Sequence, residues 1–95
     1  MTPPPSIQTI KDDLLLLTQH LHPSVTVSHY YECHGKLWHV IVTGIVPSTD
    51  ERASVALAVT QADAEIMGDI YVPEMVRQFT ALYKQGKHDR LHAED

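Results

Sequence analysis

Ninety-five residues, 43 % of them apolar and 20 % charged, make one globular domain that can hold a core without covalent staples. Twelve acidic side chains against seven Lys and Arg leave a formal charge of −5, which argues against a partner as anionic as DNA or RNA. The single cysteine excludes an intrachain disulfide and a multi-cysteine zinc site.

In chain order, Met1-Thr2-Pro3-Pro4-Pro5 is a stiff lead-in without the basic start and apolar stretch of a signal peptide. No apolar run approaches the ~20 residues that span a bilayer, so the expected location is cytoplasmic, with no membrane partner. Ser6 is placed to cap a first helix running to about Leu21, which Pro23 closes. Ile7, Ile10, Leu14, Leu17 and Leu21 alternate spacings of three and four and form its core stripe. Leu15 and Leu16 lie well off that stripe, where a surface helix usually carries polar residues.

The stretch from Val25 to Val46 reads as a β-hairpin around which the domain is organised. Val25–Cys33 and Leu37–Val46 are rich in β-branched and aromatic residues, with His34-Gly35-Lys36 between them. Gly35 is expected to supply a positive φ in the turn, and Pro47 ends the second run. A turn here sets Glu32 opposite Leu37, Tyr31 opposite Trp38, His29 opposite Val40, Val27 opposite Val42 and Val25 opposite Gly44. The face holding Tyr31, Trp38, Val40 and Val42 is the more apolar and should be the core. The other carries Thr26, Ser28, Tyr30 and Glu32 beside Leu37, His39, Ile41 and Thr43.

Ala53–Thr60 supports two readings. Val55, Leu57 and Val59 alternate with small residues as in a third antiparallel strand. Ser48 and Glu51, however, match a capping box, and the alanines favour helix over 48–66. The strand is preferred, because a two-stranded sheet is marginal alone. Thr60-Gln61-Ala62-Asp63 then caps a short helix that Gly68 would stop, and Asp69–Val72 is extended before a proline. Pro73 opens a C-terminal helix with Met75, Val76, Phe79, Leu82 and Tyr83 on one face and Gly86 as its C-cap; residues 87–95 form a polar, mobile tail. The expected fold is α+β, a single domain over 1–95, with helix, three-stranded antiparallel sheet, short helix and C-terminal helix, the helices on one face of the sheet.

This element order resembles that of double-stranded RNA-binding domains, which grip phosphate with a glycine-bearing turn and a lysine cluster at the start of their last helix. Val72-Pro73-Glu74-Met75 has no lysine, so the likeness stops at topology and no family is assigned. Seven histidines raise the question of metal. His20 and His22 point to different sides of a helix, His29 and His39 fall on opposite faces of the hairpin, and Cys33-His34 lacks further ligands. No metal or cofactor is therefore expected. Cys33 with His34, Glu32 or His39 is the one local set combining nucleophile, base and orienting group, and nothing in the spacing gives it a cleft; no catalytic residue is assigned. The four glycines form no phosphate-binding loop.

What remains is an apolar surface. Tyr30, Leu37, His39, Ile41 and Ile45 share the uncovered side of the hairpin, and Leu15 and Leu16 lie outside the first helix's stripe. Together these are the candidate protein interface, since interfaces favour aromatic residues and avoid lysine. The expected function is that of a non-catalytic, protein-binding regulatory domain, homodimeric through either the helix surface at Leu15 and Leu16 or the open sheet face. A small inhibitor of the phage or plasmid type is one alternative, and a small enzyme or His/Cys metal protein at the hairpin turn is the other.

Overall fold

The computed structural model describes residues 2–94, with side chains as far as residue 84. It is an α+β fold with the element order α1 (Pro5–Thr18), β1 (Thr26–Glu32), β2 (Leu37–Ile45), β3 (Arg52–Val59) and α2 (Gln61–Glu94). The strands form one antiparallel sheet in the order β1-β2-β3.

Helix α1 begins one residue before the expected cap. Pro4 is the N-cap, in an extended conformation, and Pro5 occupies the first helical position, where a missing N–H costs nothing. The Pro4 carbonyl accepts from Ile7 N and Gln8 N, so the turn closes without help from Ser6. The buried stripe is Ile7, Ile10, Leu14 and Thr18, and Leu17 is 45 % exposed. Positions 17 and 18 flank the stripe's centre almost equally. Thr18 can be buried because its hydroxyl donates to the Leu14 carbonyl. The helix ends at Thr18, and a turn follows in which Leu21 N donates to Thr18 O.

The β1–β2 register runs from Thr26↔Thr43 to Glu32↔Leu37, with Tyr31↔Trp38 and His29↔Val40 as the hydrophobic pattern demands. The turn achieves this differently from expectation. Lys36, not Gly35, takes the left-handed conformation, with φ 56°, because a four-residue loop puts its strained position last. Residues 52–59 are a strand, and Ser48–Glu51 lies in a hairpin loop instead of a capping box. Val46 N donates to Glu51 O across that loop, and Asp50, with φ 60°, makes the reversal. Ala53 and Val59 are buried while Ser54, Ala56 and Ala58 are exposed, a period of two that no helix would produce.

Trp38, Val40 and Val42 on β2 join Ile7, Ile10 and Leu14 of α1 and Met75, Phe79 and Tyr83 of α2 in one buried cluster. At Gly44 the sheet lets α2 approach. The Tyr83 hydroxyl donates to the Ile45 carbonyl at 2.9 Å, and a Cβ on Gly44 would stand 2.2 Å from that hydroxyl. Gly44 is the opening through which the tyrosine reaches the backbone.

The short helix, the extended linker and the last helix are a single element, α2, which runs through Gly68, Pro73 and Gly86. Its buried positions explain the continuity. Ala64, Val72, Met75, Phe79 and Tyr83 keep a spacing of three or four, with Gly68 completing the series. Gly68 faces Ile10 of α1, whose Cγ1 lies 3.6 Å from where a Cβ would be. Pro73 is exposed, so the carbonyl it leaves without an amide partner is on the side open to water. Just beyond, Arg77 and Gln78 hydrogen-bond to Glu74, and the guanidinium beside it holds the Glu74 carboxyl down to about 2. The helical backbone continues to Glu94, where a tail was expected; the mobility expected of residues 87–95 lies outside what is described. No helix among the described residues is long and apolar enough to cross a membrane.

Candidate protein-binding face

Alternation along three strands sorts every side chain of the sheet onto one side or the other. Trp38, Val40, Val42 and Gly44 point into the cluster, so Leu37, His39, Ile41, Thr43 and Ile45 point away from it. The register adds Thr26, Ser28, Tyr30 and Glu32 from β1, and Arg52, Ser54, Ala56 and Ala58 from β3. The flanking strands' residues on this side are all exposed, and those of the central strand are half-buried between them. This side of the sheet is its open face, and at the β3 edge Ser54 and Ala56 share a groove with Arg77, Gln78, Ala81 and Leu82 of α2.

Its chemistry is uneven from edge to edge. On the β1 side the Tyr30 and His39 rings stack almost parallel, 5° apart with centroids at 4.4 Å, and Tyr30 remains 53 % exposed. His39 Nε2 stands 3.7 Å from Glu32 Oε1, too far for a hydrogen bond. On the β3 side the residues are small: Ser54, Ala56 and Ala58, with the Ser54 hydroxyl 3.2 Å from that of Thr43. Glu32 and Arg52 are the only Asp, Glu, Lys or Arg side chains of the face, and both are exposed.

The seven interface candidates divide into two surfaces. Tyr30, Leu37, His39, Ile41 and Ile45 come together on the open face. Leu15 and Leu16 sit on α1, whose buried residues pack against the other side of the sheet; Leu16 is 65 % exposed. Four further large apolar residues are exposed, among them Leu17 and Leu82, which the sequence placed on core-facing stripes. Ile66 and Ile70 are 76 % and 61 % exposed on the outer side of α2, because a helix running unbroken past Gly68 turns them away from the stripe.

The remaining candidates lie apart. Cys33 and His34 are exposed in the hairpin turn. His29 packs at 6.0 Å from the Trp38 ring on the core side and accepts a hydrogen bond from Lys11 Nζ at 2.7 Å. His22 belongs to a small structural network. His22 Nδ1 accepts from Ser24 N and therefore also accepts the Ser24 hydroxyl hydrogen, while Ser24 Oγ accepts from Ile45 N. That network pins the entry to β1 against the end of β2. Among the described residues no three His, Cys, Asp or Glu side chains are grouped to hold a metal ion. A half-open groove of about 280 Å³ runs between α1 and α2, lined by Ser6, Thr9, Asp13, Glu65 and Asp69.

Comparison of the chain with protein-family models, with curated proteins and with solved structures returned no match.

Proposed function

We propose that this chain is a small, non-catalytic regulatory domain that acts by binding protein, that its binding surface is the open face of the sheet, and that its partner is a second copy of itself. The observation that carries the reading is a continuous face on which β2 presents Leu37, His39, Ile41 and Ile45 beside Tyr30 of β1, with Glu32 and Arg52 its sole Asp, Glu, Lys or Arg side chains. A solvated sheet face in an antiparallel protein ordinarily alternates to charged and polar residues. Here the central strand presents aliphatic groups to water. Each large aliphatic side chain that moves from water to a buried site is worth roughly 1.5–3 kcal/mol, which a second layer would recover. Depletion of charge together with an exposed tyrosine is the compositional mark of an interface core.

Sedimentation of the wild type, Ile41→Glu and Leu16→Glu tests this. The wild type and Leu16→Glu are expected to be dimers at high micromolar concentration, and Ile41→Glu a monomer of unchanged fold. A dimer that Leu16→Glu dissociates and Ile41→Glu does not would move the interface to α1. A wild-type monomer throughout would remove self-association.

A further inference from the structure

The open face is complementary to itself. We propose that two copies stack these faces about a twofold axis passing close to Ile41, with Glu32 of each protomer against Arg52 of the other. The inference rests on the self-association reading and adds to it the register.

The strand pairing supplies the geometry. Ile41 pairs with Ser28 on one side and with Ala56 on the other. Glu32 lies four residues beyond Ser28 on β1, and Arg52 four residues before Ala56 on β3. Both outer strands run antiparallel to β2 and hence in the same direction as each other. The two charges therefore occupy diagonally opposite corners, each about 13 Å along the strands and about 4.8 Å across them from Ile41. A twofold axis in the plane of the interface, perpendicular to that diagonal, brings each corner over its opposite.

Three features agree with this register. First, the acid and the base meet in two symmetric pairs, whereas an axis along the strands or straight across them sets neither over the other. Charges at a rim contribute little affinity but reject wrong registers, because juxtaposed like charges are costly. Secondly, the operation lays Tyr30 over Thr43 and His39 over Ser54, so the bulky stacked pair meets two small hydroxyl-bearing side chains that lie side by side. Thirdly, the strands of the two sheets then cross at about 40°, close to the angle at which aligned sheets pack.

Charge reversal tests the register. Glu32→Arg and Arg52→Glu alone are each expected to weaken dimerisation about tenfold or more at low salt, since each places like charges together twice. The double variant Glu32→Arg/Arg52→Glu is expected to recover wild-type dimerisation. An equimolar mixture of the two single variants is expected to form heterodimers, because in that pairing both contacts join Arg to Glu. Both positions are exposed, so the variants should keep the wild-type circular dichroism; Glu32→Gln and Arg52→Gln give milder losses by the same measure. Single variants that dimerise normally, or losses that neither the double variant nor the mixture repairs, would overturn the register and leave a dimer through the open face standing. A monomeric wild type would overturn both.

Discussion

Trp38 is the largest buried side chain on the sheet. It is buried, with Tyr31 tilted against it at 4.9 Å and His29 at 6.0 Å. Its partner across β3 is Val59, the last strand residue before α2. Replacing it with alanine removes an aromatic from a close-packed site and should cost about 3–5 kcal/mol, much of what a domain of this size has. Thermal unfolding followed by circular dichroism measures this; an unchanged Tm would contradict the register. Trp38 was legible as core from its neighbours' alternation alone. Two other residue-scale assignments were not. Ser6 could cap a helix, but Pro4 and Pro5 already fix φ where the helix starts. Gly35 could adopt positive φ, but loop length, which composition does not reveal, hands that position to Lys36.

At the scale of elements, the sheet was readable and α2 was not. Period-two alternation in three runs names the strands, their inward face and the β1–β2 pairing, because a one-residue slip would bury Thr26, Ser28 and Glu32. Over 53–59 the alanines pulled toward helix, and pairing with β2 prevailed over their local preference. For α2 the local signals misled: a glycine and a proline five residues apart read as a stop and a restart. The buried series through Ala64, Val72, Met75 and Phe79 crosses both without a break, and tertiary packing holds one helix where propensity suggests two. Gly68 is then a glycine in a helix interior, at a position where a methyl group would make ordinary contact with Ile10. Gly68→Ala should stabilise the fold by roughly 0.5–1 kcal/mol, seen as a higher urea midpoint with unchanged slope. A destabilised Gly68→Ala protein would mean that α1 and α2 need the closer approach that only glycine permits.

For the whole molecule, the described residues form two helices and three strands whose buried side chains meet in one cluster. That Tyr30, Leu37, His39, Ile41 and Ile45 share a surface followed from the hairpin alternation. That Glu32 and Arg52 mark its opposite corners did not, since Arg52 joins the face only through the β3 register, and strand pairing across a loop is not written in either run. Leu15 and Leu16 are the alternative surface the sequence offered, and they lie on α1, apart from the sheet face. Chemical shifts of backbone amides over a dilution series give the most direct test of a self-associating sheet face. Such a face predicts concentration-dependent shifts at Tyr30, His39, Ile41, Ser54 and Ala56, with Leu16, Ile66 and Ile70 unmoved. Shifts confined to the outer surfaces of α1 and α2, with the sheet silent across the whole series, would contradict it.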